Sequence, residues 1–262
     1  MDEFAGRFIW HELLTSDPAA AQPFYKALMG WSTSRWEGGE QPYTMWMLDA
    51  LPIGGVMELP DDARRMGAPS HWLSYVGVPD LDATVEKAQG LGARTLAGPM
   101  HIPSVGRFAV VADPQGAVFA VFQPEAGPPP SAGQQQGAIV WHELCTSDDG
   151  SAFDFYQTLF GWEKGDVFDM GETGGGAYQI IKHDGQDIGG MFNTSAEMPG
   201  PPSWTIYINA DNVDALAARA RELGGEVVVG PMDIPGGGRI AQMTDPQGAF
   251  FAVHMAASLD DG

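Results

Sequence analysis

Cysteine is almost absent from this chain of 262 residues: Cys145 stands alone. A single thiol excludes an intramolecular disulfide and any cysteine-rich metal module. Cations are also scarce, 13 Lys and Arg against 34 Asp and Glu, for a formal charge of −21. Nucleic acid and anionic membranes both reward basic patches, so neither is an expected partner. No run approaches the ~18 apolar residues of a membrane span. Met1-Asp2-Glu3-Phe4 has neither the basic start nor the apolar stretch of a secretory signal. The expectation is a soluble cytoplasmic protein. What the chain does have is 44% apolar residues, with eight Trp and thirteen Phe, ample for packed cores and against global disorder.

The strongest positive signal is internal repetition. Trp10-His11-Glu12-Leu13 returns as Trp141-His142-Glu143-Leu144, Phe24-Tyr25 as Phe155-Tyr156, and Gly30-Trp31 as Gly161-Trp162, all at offset 131. Ile53-Gly54-Gly55 returns at offset 135 as Ile188-Gly189-Gly190, so about four residues are inserted between these landmarks. Trp72, Tyr75, Leu91-Gly92, Ile102-Pro103, Arg107 and Asp113-Pro114-Gln115-Gly116 then recur at offset 132. The chain is read as module 1 (residues 1–124), a linker (125–137) rich in Pro, Gly and Gln, and module 2 (138–262).

Each module divides again. Phe8 to Leu14 has a strand pattern, and Asp17-Pro18 supplies an N-cap and N1 proline for a helix running to Met29, stopped by Gly30. Pro23 sits awkwardly inside that helix, where it removes a backbone donor. Strands are expected near 32–36, 43–49 and 53–59. A second pass begins at Trp72–Val78, followed by a helix from Leu81 to Leu91 capped by Asp80 and ended by Gly92. Strands near 94–98, 107–112 and 117–122 complete it. Asp113-Pro-Gln-Gly fits a type I turn, which makes Asp113 a turn former rather than a catalyst. The fold class is therefore α+β: four βαβββ units in two modules, whose curved mixed sheets form clefts.

The pattern strand–Asp-Pro-x-Ala-Ala–Phe-Tyr–Gly-Trp, then Gly-Gly, Leu-Gly, Ile-Pro-x-x-Gly-Arg and Asp-Pro-Gln-Gly resembles the vicinal oxygen chelate superfamily. That group includes glyoxalase I, bleomycin-resistance proteins, extradiol dioxygenases and fosfomycin-resistance proteins. The resemblance covers nearly the whole chain outside the linker and termini, and is nearest to the tandem glyoxalase-like proteins. It implies the fold strongly and the reaction weakly, because one scaffold hosts many chemistries. Metal-dependent members hold a divalent ion in the cleft. The resemblance maps its ligand positions onto Trp10, Leu73, Ala120 and Glu58 or a neighbour in module 1. In module 2 it maps them onto Trp141, Thr205, Ala252 and Asn193. At most one good donor per module stands there, whereas a stable divalent site needs three or more. No cofactor is expected, although a divalent metal remains the family's alternative.

Strand alternation puts Glu12 on one face with Trp10 and Leu14, and the register that the resemblance implies makes this the cleft face. His11 and His142 face the helix layer as satisfied core histidines. The cleft face receives Trp10, Glu12, Leu14, Leu73, Tyr75, Val118, Ala120 and Phe122 from module 1. Module 2 contributes Trp141, Glu143, Cys145, Thr205, Tyr207, Asn209, Phe250, Ala252 and His254. Aromatic walls around one carboxylate suit a small-molecule pocket. Glu12, Glu143 and His254 are the candidate acid/base groups, and Trp10, Tyr75, Phe122, Trp141, Cys145, Thr205 and Tyr207 the candidate ligand contacts. Desolvation would raise the Glu pKa. The bland alternative has each Glu accept hydrogen bonds from Tyr75, Tyr207 or backbone. Cys145 reads as a small buried thiol, with a Cys–His nucleophile as the alternative. Arg107 and Arg239 read as salt-bridge formers.

Three functions stay open: a binding or sequestering protein for a partly aromatic or cationic small molecule, without a metal; a lyase, isomerase or hydroxylase-like enzyme using a cleft Glu, or a metal-dependent glyoxalase or dioxygenase relative; and a scaffold whose clefts are packed shut. The expected partners are a small ligand or substrate and, in a homodimer, a second copy of the chain.

Overall fold

The computed structural model describes residues 3–38, 43–171, 176–195, 200–235 and 237–257; the outer ends of the two sequence modules, Met1 and Gly262, lie outside them. The first repeat runs β1 (Phe8–Thr15), α1 (Pro18–Met29), β2 (Ser32–Trp36), β3 (Tyr43–Leu48) and β4 (Leu51–Glu58). A short helix, α2 (Asp61–Arg65), leads to the second: β5 (His71–Gly77), α3 (Leu81–Gly90), β6 (Arg94–Ile102), β7 (Gly106–Ala112) and β8 (Val118–Pro124). The third comprises β9 (Ile139–Thr146), α4 (Asp149–Phe160), β10 (Glu163–Asp169), β11 (Ala177–His183) and β12 (Gln186–Asn193). The fourth comprises β13 (Ser203–Asn209), α5 (Val213–Glu222), β14 (Glu226–Asp233), β15 (Arg239–Thr244) and β16 (Phe250–Met255). The fold is α+β with two eight-stranded mixed sheets, ordered β2-β3-β4-β1-β5-β8-β7-β6 and β10-β11-β12-β9-β13-β16-β15-β14.

Local chemistry explains the helices. The Asp17 carboxylate accepts from Ala20 N at 2.9 Å, Asp80 from Ala83 N at 3.0 Å, Asp148 from Ser151 N at 3.0 Å, and the Asn212 amide oxygen from Ala215 N at 2.9 Å. Gly30 and Gly161 end α1 and α4 in the left-handed region, at φ 72° and 76°, where glycine carries no Cβ penalty. Pro23 does not break α1: it lies on the exposed side, together with Ala19, whose carbonyl is the one that goes without its helical donor. β6 runs past its expected end at residue 98. Its register slips between Ala97 and Met100 and then resumes on β7, a bulge that strand alternation alone does not reveal.

By contact density the chain divides into two units that cut across the sequence modules. Unit 1 comprises Met1–Trp10, Leu73–Pro129 and Trp141–Trp204; unit 2 comprises His11–Trp72, Pro130–Val140 and Thr205–Gly262. Each unit has its own core, taken from one repeat of each module. Phe119, Val121 and Leu81 pack with Phe153, Tyr156, Trp162 and Trp204 in unit 1. In unit 2, Tyr25, Trp31, Trp46 and Trp72 pack with Ile206, Ala217, Phe251 and Val253.

Matching polar contacts tie each core. In unit 1 the Trp204 indole donates to Tyr156 Oη at 3.0 Å, and Tyr156 donates to Asp113 Oδ2 at 3.0 Å. In unit 2 the Trp72 indole donates to Tyr25 Oη at 2.9 Å, and Tyr25 to Asp245 Oδ2 at 3.2 Å. Asp113 is thus a turn former with a second duty. Its Oδ1 accepts from the backbone of Gln115, Gly116 and Ala117, while its Oδ2 anchors a phenol of the other module. The last residue of the expected linker, Gly137, is also structural, together with Ala138, the first residue of module 2. Gly137 and Ala138 exchange backbone hydrogen bonds with Asn209, and Trp31 Nε1 donates to Gly137 O at 2.8 Å. The N-terminal segment does the same in unit 1, where Trp162 Nε1 donates to Gly6 O at 2.8 Å.

Candidate ligand-binding site

Register decides which side chains leave the helix side of each sheet. In unit 2, Glu12 pairs with Gly55 and Gly55 with Met45, while the intervening Leu13, Val56 and Trp46 enter the core with α1. In unit 1, Glu143 pairs with Gly190 and Gly190 with Ile180, while Leu144, Met191 and Ile181 enter the core with α4. Both carboxylates therefore lie on the face away from the helices, and both are buried, 6% and 8% exposed.

Each buried carboxylate is met by a phenol. Tyr43 Oη donates to Glu12 Oε1 at 2.6 Å. Tyr178 is hydrogen-bonded to Glu143 and accepts from Trp141 Nε1 at 2.9 Å. An indole can only donate, so the Tyr178 proton points to the carboxylate. Burial first, and the Glu143 charge second, push the Tyr178 phenol well above its ordinary value of 10.0. The glycines opposite are required by close approach: a Cβ on Gly55 would overlap the Tyr43 hydroxyl, and one on Gly190 the Tyr178 ring. Sequence reasoning named the glycines and glutamates but missed the phenols. The missed signal is that Tyr43 and Tyr178 are themselves related by offset 135, the offset of Ile-Gly-Gly.

Cys145 lies two residues beyond Glu143 on β9. Burial, and then the Glu143 charge, raise its thiol to about 11. A thiol held there is protonated at neutral pH, against the nucleophile alternative. Trp10 belongs to unit 1, as do Tyr75 and Phe122.

The second repeats present unlike surfaces on equivalent strands. In unit 1, Tyr75 pairs with Ala120 and Ala120 with Val110; the Tyr75 ring lies 5.9 Å from Phe108 and 6.4 Å from Phe122. In unit 2, Tyr207 pairs with Ala252 and Ala252 with Gln242, and Gln242 Nε2 donates to Tyr207 Oη at 2.9 Å. Thr205 is buried, and His254, two residues from Ala252, is held below its ordinary pKa by burial. Asn209 turns its amide to the Gln134 carbonyl at 2.6 Å.

Other candidates prove to be structural. His11 is buried, hydrogen-bonded to the Ile53 backbone, and pushed down to about 4, chiefly by burial. His142 stacks on Phe8 at 3.7 Å. Arg107 forks onto Asp82 of its own repeat at 2.8 and 2.9 Å. Arg239 forks onto Asp214 at 2.6 and 2.9 Å and adds Asp233 at 2.7 Å.

The positions that the family uses for metal offer little. Glu58 pairs in register with Thr15, so it leaves the sheet on the face opposite Glu12; it is bound by Arg64 at 3.0 Å. Asn193 caps α4, accepting from Asp149 N at 2.7 Å. Trp10, Leu73, Ala120, Trp141 and Ala252 supply no oxygen or imidazole. Among the described residues no three His, Cys, Asp or Glu are grouped to hold an ion. This donor set does not fit the family's divalent metal.

Among the described residues no helix is long and apolar enough to cross a membrane. Residues 138–253 match the family model described as Glyoxalase/Bleomycin resistance protein/Dioxygenase superfamily, and residues 10–122 that of the Glyoxalase-like domain. The chain is 33% identical over 247 residues to "Putative glyoxylase CFP32" of Mycobacterium bovis (strain ATCC BAA-935 / AF2122/97), covering 93% of this chain and 92% of that one. It is 32% identical over 265 residues to "Anthracycline biosynthesis protein DauV" of Streptomyces sp. (strain C5), covering 97% and 94%. Among solved structures, an extradiol ring-cleaving dioxygenase from B. fuscum superposes with TM-score 0.66 at 15% identity over 98% of this chain and 74% of that one. The Mn(II)-bound glyoxalase from Novosphingobium aromaticivorans gives 0.63 at 13% identity over 95% and 81%. At such identities the structures speak for the fold alone.

Proposed function

The chain belongs to the glyoxalase/bleomycin resistance protein/dioxygenase superfamily as a tandem of two modules, and on that premise we propose that it binds a small, partly aromatic organic molecule on the helix-free sheet faces, without a resident divalent metal. The support is the buried Glu–Tyr pair present in both copies, Glu12–Tyr43 and Glu143–Tyr178. Burying a carboxylate is costly unless it is hydrogen-bonded. Each copy helps meet that cost with a phenol, and in module 2 that phenol also accepts from Trp141 and stacks on Phe192, an arrangement suited to an aromatic molecule bearing a hydroxyl or basic group. The likeness to a protein named for anthracycline biosynthesis agrees with an aromatic ligand.

A second reading has Glu143 move a proton at the ligand. It is favoured by the Trp141–Tyr178–Glu143 chain, in which the carboxylate accepts from the phenol. Glu143→Gln separates the two: turnover lost with binding kept supports the enzyme, whereas affinity lost in Glu12→Gln or Glu143→Gln with no turnover supports sequestration. The decisive measurement is native mass spectrometry with elemental analysis of protein purified without added metal or chelator. A co-purified aromatic molecule with no stoichiometric metal is expected. One tightly bound divalent ion per chain overturns the metal-free reading.

A further inference from the structure

We infer that Thr205, Tyr207, Gln242 and His254 form a hydrogen-bonding subsite for a neutral hydroxyl or carbonyl group, while the equivalent positions of the first module, Leu73, Tyr75, Val110 and Phe122, take bare hydrocarbon. This rests on the binding function proposed above and adds the class of ligand group that each module selects.

The four residues share one face of three strands. Tyr207 of β13 pairs with Ala252 of β16, and Ala252 with Gln242 of β15. Thr205 and His254 lie two residues along from Tyr207 and Ala252, and alternation returns them to that face. The face is the one away from α5, because Arg239, on the alternate side of β15, is held by Asp214 in the first turn of α5. All four groups are uncharged near neutrality: a hydroxyl, a phenol, an amide and an imidazole whose proton affinity is lowered by burial. Glu226, in register with Thr244, is a charged side chain that β14 adds to this face, and it stands exposed at the sheet edge. Together the four can donate to and accept from a phenol, quinone or ketone oxygen, and they carry no fixed cation to select a carboxylate.

The counterparts at offset 132 differ at three of the four positions, with Leu73 for Thr205, Val110 for Gln242 and Phe122 for His254; only the tyrosine is kept. One backbone thus displays a polar and an apolar version of the same surface. A polar surface discriminates because a hydroxyl or carbonyl group gains hydrogen bonds there that bare hydrocarbon cannot make.

The test is titration of the full chain with 1-naphthol, naphthalene and 1-naphthoate, followed by tryptophan fluorescence and calorimetry. The wild type is compared with the variant Thr205→Leu/Gln242→Val/His254→Phe, which copies the first module. Tyr207→Phe, a single-atom change, serves if the triple variant unfolds. The wild type is expected to prefer 1-naphthol over naphthalene by about tenfold or more, the worth of one to two hydrogen bonds. The triple variant should lose that preference and Tyr207→Phe part of it. Equal affinity for naphthol and naphthalene, a preference for naphthoate, or a naphthol preference unchanged in both variants overturns the subsite while leaving binding intact. No binding of any of the three by the folded wild type overturns the binding reading itself.

Discussion

Cys145 can report the charge on Glu143, because it is the only thiol in the chain and stands two residues away on the same strand. Its pKa is raised from an ordinary 9.0 to about 11, first by burial and then by the negative field of Glu143. That rise lowers the thiolate fraction about a hundredfold at pH 7.5. A thiolate of higher pKa is intrinsically more nucleophilic, by roughly tenfold over two units at a Brønsted slope near 0.45. Alkylation by iodoacetamide at pH 7.5 should therefore run about tenfold slower than at an unperturbed thiol, before any steric hindrance. The sharper readout is the pH profile, followed by intact-mass spectrometry. The rate should climb through pH 9 and bend only near 11. In Glu143→Gln the bend should move down yet stay above 9, since burial, the larger cause, persists. An inflection at or below 9 in the wild type, or one that Glu143→Gln leaves in place, refutes the claim of a charged carboxylate against a desolvated thiol.

Gly190→Ala should drive the Tyr178 ring off Glu143 with the fold retained; a crystallographically undisturbed Tyr178 would contradict the close-approach argument. Tyr156→Phe leaves the Asp113 carboxylate and Trp204 indole short of a buried partner, at about 2–3 kcal/mol in urea unfolding. Tyr25→Phe should cost a similar amount, whereas a loss under about 0.5 kcal/mol in either would mean the networks contribute little. His11 is held near 4 when folded but titrates near 6.5 when unfolded, so the unfolded chain binds the extra proton between those values. Stability should thus fall as pH drops from 6.5 to 4, by about 3 kcal/mol from this residue; His11→Gln should flatten that slope in denaturant titrations.

Local signals carried far along this chain because they depend on near neighbours. Asp17, Asp80 and Asp148 cap helices with amides three residues on, and Gly30 ends α1 through its own φ. Strand alternation put Glu12 and Glu143 on the face opposite His11 and His142 because faces follow from a period of two, and the register implied by the resemblance named that face as the one away from the helices. What escaped involves distant partners. The second role of Asp113 depends on Tyr156, 43 residues later and in the other module. Tyr43 and Tyr178 find their glutamates across the sheet, 31 residues from Glu12 and 35 from Glu143, so only register reveals the pairs. The recruitment of Gly137 into unit 2 was hidden because its hydrogen bond to Asn209 is backbone to backbone, and composition does not record this.

The exchange of repeats between modules also sets a timetable for synthesis. The core of unit 1 requires Phe8 and Trp204, and that of unit 2 requires Tyr25 and Val253, so neither can close while only the first module has left the ribosome. Early aromatic surface must wait for its partners more than a hundred residues downstream, a burden for which slow folding and chaperone contact are the expected companions. The same wiring makes the finished protein tolerant of a nick. A protease cutting the exposed Pro128–Ser131 stretch would sever the chain, yet each core would still hold one repeat from either fragment and keep the two pieces together.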